Sequence, residues 1–380
     1  MIKKLLAGAA LLAIAATAHA QIKVGVVLST TGPAASLGIP EKNTMTLYPT
    51  SVGGQKIEFL LLDDATDTTT ARRHFEKLTS EDKVDVIIGT STSPAALATL
   101  EVAANTRTPV IALAATGRLV LPMDDQKRWM FKTPYNDSIT AEAAVQHMVK
   151  TGIKTLAFIG YAEAFGEGWL QETIKATEKL GVKLVATERF NPKDTSVTAQ
   201  VLKAMSANPQ AILIVGAGTP AALPHTTLVE RGYKGKIYQT PGVINNDFLR
   251  VGGKALEGAV VVSGPVVVVQ DLPDSNPAKK PGLEYKQKYE AAFGAGSTTT
   301  FGANAWDAML ILQRAIPEAL KKAKPGSVEF RVALRDAIEG VRNLPATHGM
   351  INMSATDHNG FDANAPVMIT ITGGKWAVLK

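Results

Sequence analysis

The chain has 380 residues, 46% of them hydrophobic and 19% charged, and it contains no cysteine. That composition excludes a disulfide scaffold, a thiol nucleophile and a lipid-modified N-terminal cysteine, and the length is too great for one ordinary core. The formal charge of +6 is scattered, with no Lys/Arg block of the kind that marks a nucleic-acid surface.

The first twenty residues, MIKKLLAGAALLAIAATAHA, join a positive start (Lys3, Lys4) to an apolar stretch and an Ala18-His19-Ala20 cleavage signature. This is the pattern of a secretory signal peptide, with cleavage expected before Gln21. The apolar stretch is too short for a membrane anchor, which needs about 20 apolar residues. Loss of Lys3 and Lys4 lowers the charge from +6 to +4. The expected product is soluble, exported and free of disulfides, in a compartment where NAD, ATP and DNA are rarely met.

The mature part opens on an apolar run, IKVGVVLS (22–29), a Gly/Pro loop (30–38) and helical spacing to about Tyr48. A strand at 56–65, a helix at 69–83 and a buried-strand run VDVIIGT (84–90) follow. Residues 93–107 form a helix with Ser93 as its expected N-cap and Pro94 at its first position, and PVIALAAT (109–116) is the next strand. The pattern pauses over 117–138 and restarts. Helices are expected at 139–151, 167–180, 195–206 and 220–231, alternating with strands at 154–160, 182–190, 211–217 and 236–242. Residues 258–277 are where the chain is expected to return to the first unit. Helical patterns at 279–293, 301–322 and 327–341 precede strand-like runs around a Gly-Gly turn. Short apolar strands alternating with helices predict parallel sheets covered on both faces. Two such units in series, with terminal segments that return, predict a discontinuous two-lobed α/β fold whose strand ends face a shared cleft.

Within that frame GTSTSPAAL (89–97) carries the most chemistry. Unpaired amides of the first helical turn, the helix dipole and the hydroxyls of Ser91, Thr92 and Ser93 suit a small anion, most simply a carboxylate. At the neighbouring strand end, Ala114 and Ala115 allow close approach and Thr116 offers a hydroxyl. In the second unit, Phe165 precedes a glycine, and GAGTP (216–220) ends a strand. Gly216, Gly218 and Ala221 fit the G-x-G-x-x-G/A dinucleotide spacing. The acid that would hold a ribose about 20 residues later is missing from KIYQTPGVINND, and the motif does not lie in a first βα turn. GAGTP is therefore read as a strand end facing the cleft, and no cofactor is expected. No G-x-S-x-G, H-E-x-x-H or G-x-x-x-x-G-K-[ST] occurs, so no enzyme is expected. His74, His147, His225, His348 and His358 are read as surface or packing histidines. Asp63, Asp64 and Asp67 are read as a solvated loop.

With these features in place, the chain resembles the type I periplasmic substrate-binding proteins of ABC importers, in the leucine-isoleucine-valine binding-protein family and its branched-chain/aromatic-acid subgroup. The resemblance covers 22–380 and rests on IKVGVVLSTTGPAASLG, DDATD, IIGTSTSPAALA, PVIALAAT, AEAFGEG, GYKGKIYQTPGV and the terminal DHNG…GGKWAVLK. It implies two Rossmann-like lobes, each a mostly parallel sheet flanked by helices, joined by a multi-crossover hinge. The lobes implied are 21–138 with 267–346, and 139–266 with 347–380. It also implies a monomer in the periplasm that closes on a small ligand and docks on a membrane permease. By position, Ser91–Ser93 and Ala114–Thr116 match the family's carboxylate-binding pair, Leu37 a first-lobe wall, and Phe165 and Thr219 second-lobe contacts, beside Gly218, whose glycine allows close backbone approach. The family's amino-acid binders place an acid in a G-x-E-G-V-like stretch to meet the ligand's ammonium; here the stretch is QTPGV, with Pro241 at that place. An unpartnered, desolvated ammonium costs several kcal/mol, so either Glu163 or Asp271 substitutes or the ligand lacks an amino group. The favoured ligand is a benzoate-like aromatic acid, a choice that related sequences of the subgroup also support, with a branched-chain or other amino acid as the alternative. A sensory receptor or a secreted α/β enzyme are the remaining readings.

Overall fold

The structure, a computed structural model, describes residues 21–379; the stretch 1–20, read from sequence as a signal peptide, lies outside the described residues. Its first unit contains β1 (Ile22–Leu28), β2 (Ser51–Val52), β3 (Gln55–Asp63), β4 (Val86–Gly89), β5 (Val110–Ala112) and β6 (Met130–Lys132). These form one sheet in the order β2-β3-β1-β4-β5-β6, parallel except where β2 turns back on β3. The apolar runs that predict β1 and β4 are buried on both faces, as central parallel strands require. β6 has no counterpart among the expected strands. Three residues inside an irregular stretch give no periodic signal, and pairing with β5 supplies the order.

The second unit contains β7 (Thr155–Tyr161), β8 (Lys183–Phe190), β9 (Ala211–Val215), β10 (Lys236–Gln239) and β11 (Val260–Ser263). After them come a small hairpin, β12 (Leu344–Ala346) with β13 (Gly349–Ile351), and then β14 (Val367–Thr372) and β15 (Lys375–Val378). The second sheet runs β15-β14-β11-β10-β9-β7-β8, its last two strands in sequence joining antiparallel through the Gly373–Gly374 turn. Each sheet has its own apolar core. A further large cluster joins β1, β4 and the helices Thr300–Leu320 and Val328–Glu339 to residues from the second unit such as Val261 and Ile369.

The chain passes between the units at 133–136, at Gly264 and over 352–366. The first and last passages are laced together. The Asn359 side chain accepts from Asn136 N–H (3.0 Å) and donates to the carbonyls of Lys132 (3.3 Å) and Pro134 (2.8 Å). Lys132 N–H donates to His358 O (3.1 Å), His358 Nδ1–H donates to Met130 O (2.7 Å), and the His358 ring stacks on Phe131 at 4.0 Å. Every polar group that the Asn359 side chain meets is backbone.

Opposite the crossings the lobes touch. Ala34, Leu37 and Phe301 form a small apolar cluster on the first lobe, and Ala217 of the second packs against it. Gly218 sits beside it with φ +64°, where a Cβ would lie 2.6 Å from Ser36 Oγ and 3.0 Å from Leu37 Cδ1. Glycine is required there for both its backbone angle and the close approach.

Candidate functional site

A cavity of about 240 Å³ lies between the lobes, at the carboxyl ends of both sheets. Of the residues singled out from sequence, Leu37, Ser91, Thr92, Ser93, Ala115, Phe165 and Pro241 line it. Ala114, Thr116, Gly218 and Thr219 do not.

The polar end is built on the loop after β4. The cap of the helix Ser93–Thr106 is Thr92, not Ser93, and its side chain makes no capping bond. Ser93 and Pro94 occupy the first helical positions, and the Ser93 hydroxyl turns instead to accept from Thr116 N–H (3.3 Å), which leaves its own hydrogen for a ligand. Ser91 Oγ accepts from Ser29 N–H (3.0 Å) and is hydrogen-bonded to Glu41 Oε2. One strand over, side chains alternate: Leu113 and Ala115 face the cavity, while Ala114 packs in the first-lobe core. Thr116 is fully buried and is directed elsewhere. Its Oγ1 accepts from Arg118 N–H (3.4 Å), and it stands beside Gly168 near the Asp137 carboxylate. The expected donation from Thr116 to a carboxylate is therefore replaced by a role in holding the wall. Among the described residues no lysine or arginine lines the cavity.

The second lobe supplies the aromatic side. The helix Ala164–Leu180 brings Phe165 and Trp169 to the cavity, 6.4 Å apart and edge to face, and Tyr161 enters from the end of β7. Glu163, the N-cap of that helix, accepts from Phe165 N–H (2.8 Å) and is the one carboxylate on the lining among the described residues. Burial pushes its carboxyl up to about 7, against the hydrogen bonds from Phe165 and Gly166. Asp271, the other substitute acid considered, is exposed and away from the cavity. Pro241 and Gly242 line the wall after β10, where Thr240 Oγ1 accepts from Gly242 N–H (3.2 Å) and donates to Gly216 O (3.0 Å).

Several lining residues had no signal in the sequence. Thr300, Phe301 and Asn304 come from the start of the helix Thr300–Leu320, and His348 from the β12–β13 turn, over 200 residues from the first-lobe loops. His348, read as surface or packing, is instead the centre of a buried chain. Its Nδ1–H donates to Asp307 Oδ2 (2.8 Å), and its Nε2 meets Thr300 Oγ1 (2.8 Å). The loop read as solvated is so at Asp63 and Asp67, which stay at the surface, but not at Asp64. Asp64 is fully buried, accepting from Ser29 Oγ (2.6 Å) and Thr66 N–H (2.9 Å), while Asp63 fastens Thr30, Thr31 and Ala65. Asp67 caps the helix Thr68–Ser80. Among the described residues no group of three or more His, Cys, Asp or Glu is placed to hold a metal.

A crystal structure of an extracellular ligand-binding receptor from Rhodopseudomonas palustris HaA2 is 41% identical, with a TM-score of 0.91 over 95% of this chain and all of that one. An ABC transporter solute-binding protein from R. palustris, solved in complex with benzoate, shares the fold at 22% identity and a TM-score of 0.80, covering 94% of this chain and 95% of that one. Among curated proteins, the Leu/Ile/Val-binding protein homolog 3 of Brucella melitensis is 23% identical over 354 residues, 92% of this chain and 91% of its own length. The family described as periplasmic binding protein matches residues 21–374, and with that match the chain belongs to the type I periplasmic binding proteins of the leucine-isoleucine-valine-binding family.

Proposed function

We propose that this chain is the periplasmic solute receptor of an ABC importer, not an enzyme, and that its lobes close on a small carboxylate with an aromatic body. The observation that carries the ligand class is the make-up of the cavity wall. Hydroxyls at a helix N-terminus stand at one end, Phe165, Trp169, Tyr161 and Phe301 around the body, and Pro241 where family resemblance puts an acid. Among the described residues an ammonium group would find only Glu163 on the lining, whose carboxyl is committed to a helix cap and tends to neutrality. Hydroxyls and first-turn amides without a lysine or arginine hold a carboxylate by directed hydrogen bonds, the geometry that favours a planar, rigid acid. Closure is a rotation about the crossings at 133–136, Gly264 and 352–366, with a membrane permease as the partner.

A second reading, a branched-chain amino acid, rests on Glu163 lining the cavity at all. A thermal-shift panel on residues 21–380 separates the two, with benzoate and 3-phenylpropanoate against leucine and isoleucine. A ligand at about 100 times its Kd stabilises by roughly 2.7 kcal/mol. A shift with the aromatic acids alone supports the proposal. A shift with leucine that disappears in Glu163→Gln assigns the ammonium to Glu163 and overturns it.

A further inference from the structure

Behind the polar end of the cavity stands Glu41, whose role deepens the carboxylate reading and rests on it. Glu41 belongs to the helix Ala35–Met45, does not line the cavity, and is fully buried. Its Oε2 is hydrogen-bonded to Ser91 Oγ, and its Oε1 has no partner. Ser91 does line the cavity. A hydroxyl has one hydrogen and two lone pairs, so the contacts of Ser91 can be counted. Ser29 N–H occupies one lone pair. The hydrogen and the other lone pair are then divided between Glu41 and the cavity.

The division depends on the charge of Glu41. An ionised Glu41 can only accept, so Ser91 would give it the hydrogen and turn a lone pair toward the ligand, which repels a carboxylate. A neutral Glu41 carries an O–H whose one reachable acceptor is Ser91 Oγ. It fills the second lone pair and leaves the Ser91 hydrogen for the cavity.

The surroundings select the neutral form. The groups facing Glu41 are Asp64, after β3 and itself near Asp63 and His74, and Tyr48, which follows the helix and feels Asp307. None is a lysine or arginine. An ionised Glu41 would be a buried carboxylate with a single donor beside a second buried carboxylate whose Oδ2 is also unpartnered. Burial accordingly holds the Glu41 carboxyl well above the usual carboxylate range, more than the Ser91 hydrogen bond lowers it, and Asp64 adds to the rise.

We infer that Glu41, as a carboxylic acid, donates to Ser91 Oγ and thereby aims the Ser91 hydroxyl hydrogen into the cavity as a donor for the ligand's carboxylate. Glu41 is a positioning residue: it sets the polarity of the site without touching the ligand. Binding of an anion then requires a proton already resident in the protein, and affinity falls as that proton is lost.

The test combines spectroscopy on the free protein with titrations of benzoate, or of 3-phenylpropanoate if the panel prefers it. The infrared difference between wild type and Glu41→Gln at neutral pH is expected to contain a protonated-carboxyl band from Glu41. Wild-type Kd is expected to rise by about tenfold per pH unit above the Glu41 ionisation. Glu41→Gln, whose amide donates in the same direction at every pH, keeps neutral-pH affinity and binds independently of pH. Glu41→Leu, which leaves the Ser91 hydrogen free but unaimed, binds more weakly than Glu41→Gln and without pH dependence. Ser91→Ala, which leaves Glu41 in place, weakens binding and abolishes the pH dependence, so the test survives misfolding of a Glu41 variant. Absence of the band, or equal losses in Glu41→Gln and Glu41→Leu, overturns the inference. If the band is present but no acid binds, the carboxylate reading has failed, and the donor role of Ser91 falls with it.

Discussion

Replacing Gly218 by alanine tests whether the contact across the cleft mouth belongs to the ligand-bound form. The added Cβ meets Ser36 Oγ at 2.6 Å and Leu37 Cδ1 at 3.0 Å, both on the other lobe. Ser36 Oγ has no hydrogen-bond partner to hold it, so it can rotate away. The Leu37 methyl is packed with Ala34 and Phe301 and must move. Overpacking of this kind costs about 1–3 kcal/mol, and the freedom of Ser36 places the expected cost in the lower half, ~1–2 kcal/mol. The backbone angles of Gly218 (φ +64°, ψ −158°) fall in a region essentially reserved for glycine and add roughly 1–3 kcal/mol for alanine, but that cost is common to open and closed forms, because Gly218 N–H donates to Gly242 O (2.7 Å) within its own lobe. Only the clash acts on closure, so affinity is expected to fall about 5- to 30-fold. Calorimetric titration with the acid that gives the largest thermal shift measures the loss, and small-angle scattering with and without ligand measures closure. Unchanged affinity in a normally folded Gly218→Ala protein would refute the idea that ligand binding brings these two surfaces together.

Two further predictions concern stability. Burial lowers His225 to about 4, and its ring meets the Gln239 side-chain amide at 3.2 Å. The unfolded chain, with an ordinary histidine near 6.5, binds more protons than the folded one between about pH 6.5 and 4, so stability falls on acidification through that window, by roughly 3 kcal/mol for this group. His225→Gln should flatten that part of the profile in urea denaturation at pH 7 and pH 4.5; an unchanged slope would assign the acid sensitivity elsewhere. Asn359→Ala strips partners from Asn136 N–H and from the Lys132 and Pro134 carbonyls, and is expected to cost about 2–4 kcal/mol by the same assay. A loss under 1 kcal/mol would mean that water replaces the side chain.

The alternation of apolar strands and helices made both sheets legible, because parallel strands buried on two faces leave continuous apolar runs such as VDVIIGT and AILIVGA. The loop 91–93 was legible for a related reason: hydroxyls bunched between a strand and a proline-started helix are local features. What depends on distant partners was not. Thr300, Asn304 and His348 reach the cavity through chain crossings that leave no periodic trace, and Asp64 is buried only because Ser29 and Thr66 close over it. Thr116 was misplaced for a simpler reason. Strand-like alternation from Leu113 puts Ala115 on the cavity side and turns Ala114 and Thr116 away, a distinction that composition at a strand end does not make.

The side chain of Asn359 has a mechanical meaning beyond the bonds it forms. Two free connectors could bend and twist separately, giving the lobes several ways to move. Fastened to each other at Lys132, Pro134 and Asn136, and clamped by the His358 ring on Phe131, the two straps act as one leaf spring. In the proposed closure such a joint favours bending along one direction over shear and torsion. Apolar packing at the mouth and hydrogen bonding at the floor then act on the same coordinate.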